Sequence, residues 1–296
     1  MKYTFLVPVY NKLENIKKCF ESLLQQTYTN FEIIIVDDNS NKETISYLND
    51  ISSADKRIKT YFNKKNLGIG QTRNILLSHA SGDYIIFIDS DDYIEHQLLE
   101  KINNEIENNN KLEIIRFQNI SEPTTIAQKL KESQKNPYRF SCEPTSRVIT
   151  GEEALMSWCL GSNKINTMPW TYCIKKELYS DIIYPNIPYL EDFAITHYLL
   201  AKAKSIIAID YIGYHYLQYD SSLTKLEDTE RIAFAKEKLR VFKEIINLTK
   251  TYINKTDISD ESKKIFFDDI DKRYILRQKR VMDALNESEN KITQKK

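Results

Sequence analysis

The sequence predicts an α/β fold: a Rossmann-like, mostly parallel sheet with helices on both faces, followed by a C-terminal helical extension. Two observations carry this. Short β-branched runs alternate with helical patterns through the first third, as buried parallel sheets require. From about residue 228 onward, apolar residues keep helical spacing and no strand pattern returns.

Tyr3 to Val9, Phe31 to Val36, Ile58 to Phe62 and Tyr84 to Ile88 are the four apolar runs. Between the first two, Leu13, Ile16, Phe20, Leu23 and Leu24 fall on one helical face, with Asn11 as the expected N-cap and Glu14 three residues on. Residues 42 to 53 and 70 to 80 supply the next crossovers. Leu98, Leu99, Ile102 and Ile106 pattern a helix leading to a fifth strand at Leu112 to Phe117. From 118 to 150 the periodicity fails, and Pro123, Pro137 and Pro144 interrupt a polar segment that reads as a long loop or small insertion. A helix then runs from Gly151 to about Leu160, with an aromatic segment at Pro169 to Ile174, a helix after Tyr189 and strands within Ser205 to Tyr216. In the C-terminal region Ile232, Ala235, Leu239, Phe242 and Ile246 form a seam, followed by Ile265, Ile270, Leu276 and Leu285. That seam suits packing onto the main domain or pairing with a second copy.

A chain of 296 residues with 41% hydrophobic and 28% charged residues can bury a large core. Its 42 basic and 42 acidic residues leave no net field to hold a polyanion, so nucleic acid is not an expected partner and any anionic ligand must be held locally. Cys19, Cys142, Cys159 and Cys173 are far apart and form no CxxC pair, arguing against a zinc site or a disulfide framework. No apolar run approaches a membrane span and the N-terminal run is too short for a signal peptide, so the expected location is cytoplasmic.

Phe87-Ile88-Asp89-Ser90-Asp91-Asp92 places carboxylates at the carboxyl end of a strand, where open α/β sheets bind ligands. Such carboxylates, together with phosphate oxygens, hold Mg²⁺ or Mn²⁺, and Asp91 is the chosen ligand. The same residues would also serve as a cap for the helix that follows. Asp37-Asp38-Asn39-Ser40 repeats the arrangement on a neighbouring strand; a carboxylate there accepts the imide N–H of uracil, or simply closes a turn. In Asn66-Leu67-Gly68-Ile69-Gly70-Gln71-Thr72-Arg73-Asn74, glycines allow close backbone approach and Arg73 can reach a diphosphate.

Glu191 and Asp192 open an apolar-patterned helix, as first-turn acids favoured by its dipole or as a general base for a sugar hydroxyl. His215, among four tyrosines, reads as a metal or phosphate contact or as packing. Trp170 and Tyr172 read as an acceptor-sugar platform or as core. Lys272, Arg273, Arg277, Lys279 and Arg280, interleaved with Ile275, Leu276 and Val281, form a solvated face or a surface for anionic lipid.

Taken together, Val7-Pro8-Val9-Tyr10-Asn11, Asp37-Asp38-Asn39-Ser40, Asn66-Leu67-Gly68 with Arg73-Asn74, Asp89-Ser90-Asp91-Asp92 and Glu191-Asp192 stand in an order that resembles the family 2 glycosyltransferases of GT-A fold. The chain looks most like bacterial enzymes that build lipooligosaccharide, capsule or surface glycans, over roughly residues 3 to 224. The resemblance implies a UDP-sugar donor with Pro8, Tyr10 and Asp38 on base and ribose, Arg73 on the pyrophosphate, Asp89 near the ribose and Asp91 on Mn²⁺ or Mg²⁺. Asn11, Asn66, Gly68 and Ser90 would complete the donor site. Asp192 would be the base, with Glu191 and Asp92 orienting their neighbours. Similar enzymes carry a lysine where Tyr172 stands, so a phosphate contact from that position is not expected. Tyr219-Asp220-Ser221-Ser222-Leu223 fits a lid over the donor.

The expected reaction is therefore inverting transfer of a hexose or N-acetylhexosamine, with galactose or N-acetylgalactosamine ahead, to a hydroxyl of a glycan or glycolipid. Residues 1–117 would form the nucleotide-sugar half, 118–226 the acceptor half and 227–296 the helical extension. The basic 272–280 segment would allow peripheral contact with the inner face of the membrane, and the C-terminal helices a homodimer. A nucleotidyltransferase would want a glycine-rich loop near the N-terminus that Val7-Pro8-Val9-Tyr10-Asn11 does not offer. A silent scaffold of the same fold would have eroded carboxylates, and a glycosidase would need an acid opposite its base and no nucleotide.

Overall fold

The structure, a computed structural model, describes residues 1–11, 13–109, 111–124, 143–161, 166–218 and 228–294. Cys142, Pro137 and the Tyr219 to Leu223 segment lie outside the described residues, as do the side chains of Ile232 and Leu285.

In chain order the elements are β1 (Tyr3–Val9), α1 (Leu13–Leu24), β2 (Phe31–Asp37), α2 (Lys42–Ala54), β3 (Ile58–Phe62), α3 (Ile69–His79), β4 (Tyr84–Phe87), β5 (Tyr93–Ile94), α4 (Leu98–Asn108) and β6 (Ile114–Pro123). They continue with α5 (Gly151–Cys159), β7 (Tyr172–Lys175), α6 (Glu191–Lys202), β8 (Ile206–Gln218), α7 (Asp228–Ile253) and α8 (Asp260–Gln294). One sheet carries all eight strands in the order β3-β2-β1-β4-β7-β6-β8-β5. The first four are parallel, β7 is antiparallel to both β4 and β6, and β8 runs parallel to β6.

β1 and β2 are apolar at nearly every position because both faces of the sheet are covered. On one face Phe5, Val7, Ile33 and Ile35 meet Ile16 and Phe20 of α1 and Leu98 and Ile102 of α4. On the other, Leu6, Ile34, Val36 and Phe87 meet Leu76 of α3 and Ile195 and Leu199 of α6. A third cluster joins Leu155 of α5 and Ala201 of α6 to Phe242, Ile246, Phe266 and Ile270 of α7 and α8. The C-terminal seam thus packs onto the main domain.

Two expectations change. β6 does not end at Phe117 but continues to Pro123, with Gln118, Asn119 and Ser121 buried in it. Its second half is polar and escapes a hydrophobic pattern, yet the ladder to β8 holds it. Asn11, expected to cap α1, sits in the left-handed region at φ 58°, and among the described residues its side chain accepts from Asn41 N at 2.9 Å. Asn41 in turn accepts from Thr44 N and caps α2, so the end of β1 is tied to the start of α2.

At the opposite end of the strands, Glu32 is buried and accepts from Thr4 Oγ1 at 2.8 Å and from Ser81 N and Oγ at 2.7 Å each. Lys2 and Lys59 stand 3.1 Å from its other oxygen. Burial alone would raise its pKa, but the bonds from Ser81, Thr4 and Lys59 outweigh it and bring the carboxyl down to about 2. A depressed carboxyl contributes stability that is present above the unfolded value of 4.5 and is lost as pH falls toward about 2. We predict that the melting temperature of Glu32→Gln lies below wild type at neutral pH and that the gap closes as pH falls below 4.5. A gap independent of pH would show that Glu32 acts through shape alone.

Candidate functional site

The carboxyl ends of β1, β2 and β4 open onto one cleft of about 390 Å³, lined by Pro8, Val9, Tyr10, Asp38, Asn66, Gly68, Ile69, Thr72, Asp89, Ser90, Asp91 and Pro188. The volume suits a small organic ligand. Tyr10 is 53% exposed at its rim, an uncommon position for a large aromatic and one open to stacking.

The cleft is shaped by backbone devices. Asp38 accepts from Leu67 N at 2.8 Å, Gly68 N at 2.9 Å and Asn63 Nδ2 at 2.8 Å, which clamps the loop entering α3. Gly68 has φ 83°, a conformation natural to glycine, and begins α3 so that its N-terminus edges the cleft. Gly70 lets α3 come close to the 185 to 191 segment, because a Cβ there would stand 2.2 Å from the Pro185 carbonyl oxygen.

Below the cleft floor lies a buried charge cluster. Arg73, 4% exposed, donates to Glu191 Oε1 through Nη1, and its Nη2 stands 3.8 Å from Asp89 Oδ1. Burial works against the guanidinium's charge, but Glu191 and Asp89 more than offset it. Arg73 does not line the cleft, so where a diphosphate contact was expected its immediate partners are carboxylates. Glu191 and Asp192 begin α6 straight after Leu190, which is held in the left-handed region at φ 65°. Burial and the neighbouring charge of Glu191 raise the pKa of Asp192, against the opposing pull of Arg73.

The turn from Asp89 to Asp92 is anchored from the far side. Asp92 is buried; its Oδ1 accepts from Leu217 N at 2.8 Å and its Oδ2 from Tyr214 Oη at 2.6 Å. Burial and the charge of Asp89 nevertheless push it up to about 8. Asp89 and Asp91 face the cleft, and Tyr216 lies within electrostatic reach of all three acids. Among the described residues no group of three or more His, Cys, Asp or Glu side chains is placed to hold a metal. A cation here would rest on one or two hard carboxylates and on a ligand's phosphates, and the donor set fits Mg²⁺ or Mn²⁺ on those terms.

Pro8, Tyr10, Asp38, Asn66, Gly68, Asp89, Ser90 and Asp91 are thus brought together at one cleft, with Asn11 beside it. Besides Arg73, three expected contacts fall elsewhere. His215 gives Nδ1 to Glu122 at 2.6 Å and Nε2 to Glu95 at 2.8 Å and stacks on Tyr93, so both ring nitrogens are taken where a metal contact was expected. Trp170 is buried and stacked on Tyr214 with ring centroids 4.3 Å apart. Tyr172 is buried with its hydroxyl bonded to the Asn166 backbone. Both aromatics belong to the core instead of an acceptor platform. Sequence reasoning missed Tyr214, Asn63 and Thr72; Tyr214 is one of several tyrosines in a strand, and nothing local marks it as the anchor of Asp92.

Comparison with known proteins places this geometry. The family model described as glycosyl transferase family 2 matches residues 4–157, just over half of the chain. An uncharacterized glycosyltransferase of Haemophilus influenzae is 43% identical over 98 residues, 33% of this chain and 39% of that protein. Glycosyltransferase GlyG of Streptococcus pneumoniae is 27% identical over 251 residues, covering 82% of this chain and 78% of that one. The chain therefore spans well under half of the first of these relatives. Among solved structures, Staphylococcus aureus TarS 1–349 in complex with UDP-GlcNAc superimposes with TM-score 0.67 at 21% identity, covering 90% of this chain and 70% of that one. Mannosyltransferase PcManGT from Pyrobaculum calidifontis, in complex with GDP-Man and Mn²⁺, gives TM-score 0.59 at 15% identity over 98% of this chain and 75% of that one. With the parallel β3-β2-β1-β4 core and strand-end carboxylates set out above, that family match means that the chain belongs to glycosyl transferase family 2 and has the GT-A fold.

Proposed function

We propose that the protein is an inverting glycosyltransferase that moves a hexose or N-acetylhexosamine from a UDP-sugar to a hydroxyl of a bacterial surface glycan or glycolipid. The observation that carries this is the single cleft uniting Tyr10, Asp38, the α3 N-terminus, Asp89 and Asp91. Residues 1–117 supply the donor half, 118–226 the acceptor half and 227–296 the helical extension. The TarS complex with UDP-GlcNAc sets N-acetylglucosamine beside the galactose and N-acetylgalactosamine already expected.

Tyr10 stacks on the base, and the donor's diphosphate lies toward the α3 N-terminus, whose dipole favours anions. Arg73 acts through Glu191 and Asp89, holding both carboxylates against their mutual repulsion. Asp91, with Asp89 beside it, would hold Mn²⁺ or Mg²⁺, which when bound supplies charge neutralisation to the departing diphosphate. Asp192 takes the proton from the acceptor hydroxyl as that oxygen bonds to the anomeric carbon. The anomeric carbon–oxygen bond to UDP breaks, and UDP leaves with the electron pair. A single base on the acceptor side, with no nucleophile of the protein's own, gives inversion.

The first test is calorimetric titration of UDP into wild type and Asp91→Ala, each with Mn²⁺ and with chelator. UDP should bind wild type only with metal, and the variant should lose that dependence; metal-independent binding of equal strength in both would remove Asp91 from the metal. A second test concerns the base. Asp192→Asn should lower kcat by about 10²- to 10⁴-fold while leaving UDP affinity in place. Because the base works ionised and its pKa is raised by burial, log kcat/KM in wild type should climb with pH to a plateau reached above the ordinary carboxylate value of 3.8. A flat profile down to that value would transfer the role to another group.

No helix among the described residues is long and apolar enough to cross a membrane. On α8, Arg273 and Arg277 stack over Trp158 and Phe242, leaving Lys272, Lys279 and Arg280 exposed beside exposed Ile275 and Leu276. That mixture supports peripheral contact with anionic lipid at the cytoplasmic membrane face, in preference to a homodimer. Co-sedimentation with vesicles containing phosphatidylglycerol should fall for Lys272→Glu/Lys279→Glu and with added salt. Salt-insensitive sedimentation, or a dimer by light scattering that Leu276→Asp breaks, would favour the other use of this face.

A further inference from the structure

Arg116, in the middle of β6, is 0% exposed, and its Nε, Nη1 and Nη2 have no hydrogen-bond partner among the described residues. A buried guanidinium without an acceptor is costly, since all five of its N–H groups lose water and gain nothing. Arg116 is paired in register with Tyr172 on β7, and its guanidinium carbon lies 5.9 Å from the Tyr172 ring centroid. At the other end of that ring, the Tyr172 hydroxyl donates to Asn166 O at 2.8 Å and accepts from Asn166 N at 3.0 Å. Asn166 uses its Oδ1 to accept from Met168 N at 3.0 Å, while its Nδ2 also has no partner among the described residues. Two residues that contact Tyr172 therefore carry orphaned groups, and both sets consist of donors only. What satisfies them must accept hydrogen bonds and carry negative charge.

The place is as informative as the chemistry. The residue after Asn166, Thr167, accepts from Thr196 Oγ1 at 3.4 Å, and Thr196 lies one helical turn beyond Asp192 on α6. Asn166 thus sits in the acceptor half, next to a residue bonded one helical turn along from the candidate base, and Arg116 reaches the same tyrosine from the adjoining strand β6.

We propose that Arg116 and Asn166 form a buried oxyanion site that takes a phosphate or carboxylate group carried by the acceptor. The inference rests on the transferase reading for the word acceptor, but the anion chemistry stands on these residues alone. Arg116 supplies charge and paired donors, which suit a planar carboxylate or two phosphate oxygens. The acceptor is then an acidic glycan, with its nucleophilic hydroxyl turned toward Asp192.

Thermal unfolding should be followed in increasing inorganic phosphate, against sodium chloride of equal ionic strength. Wild type should gain about 3 °C or more at roughly tenfold excess over the dissociation constant. Arg116→Met should show no phosphate-specific gain and should unfold no lower than wild type without phosphate, since the uncompensated cation is gone. Asn166→Asp, which keeps the Oδ1 acceptor and brings a carboxylate, should raise the phosphate-free melting temperature and abolish the phosphate effect. Methyl glucoside 6-phosphate should compete with phosphate where methyl glucoside does not; if phosphate binds but the sugar phosphate does not, the site holds a free ion and the acceptor assignment is overturned. Equal phosphate responses in wild type and Arg116→Met would overturn the site itself. UDP binding with Mn²⁺, measured on the same samples, should be unchanged in both variants. Its absence from wild type would defeat the transferase reading while leaving the phosphate result to be judged separately.

Discussion

The ion pair between Arg73 and Glu191 is the constraint on which the site depends. It joins α3 to the first residue of α6 across 118 positions of sequence, with both side chains buried. Buried pairs are seldom a net source of stability, but losing one partner strands the other and typically costs about 3–5 kcal/mol. The pair therefore acts as a register pin. With Asp89 on its other flank, Arg73 holds two acids that come from distant stretches of the chain. Without a buried cation at that point, Asp89, Glu191 and Asp192 would repel one another, and α6 would have no reason to start there.

The balance of charge around the cleft bears on the metal proposed above. Asp89, Glu191 and Asp192 are gathered about Arg73, whose guanidinium is taken by carboxylates, and Asp91 and Asp92 stand in the same turn as Asp89. A diphosphate approaching Asp89 and Asp91 meets like charge, and the α3 N-terminus offsets only part of it. On the proposed function, a hard cation held by Asp91 would offset that repulsion.

Much of this was legible in the residues. β1 to β4 could be read because strands buried on both faces are written as unbroken β-branched runs, and strand-end acids could be placed once the strands were placed. The second half of β6 could not, since Gln118, Asn119 and Ser121 are buried by partners that arrive from β8, almost a hundred residues later. Trp170, Tyr172 and His215 show the same limit: aromatic and imidazole side chains have the same letters in a core as in a binding site. Their neighbours, Tyr214, Arg116 and the Glu95 and Glu122 carboxylates, come from elsewhere in the chain. The Arg73 partner was hidden for that reason too, because an arginine near a glycine-rich turn points to phosphate until α6 is brought against it.

Leu190 carries a consequence for how the protein can change. Its backbone is in the left-handed region, where a side chain costs roughly 1–2 kcal/mol, yet the side chain is packed against both the α7 and the α8 clusters. Glycine would relieve the backbone and forfeit the packing; a β-branched residue would keep some packing and worsen the backbone. The two demands leave few acceptable residues at a position that does not line the cleft. Constraint on Glu191 and Asp192 is thereby felt one residue earlier, and mutational drift of the C-terminal helices is coupled to the geometry of the α6 start.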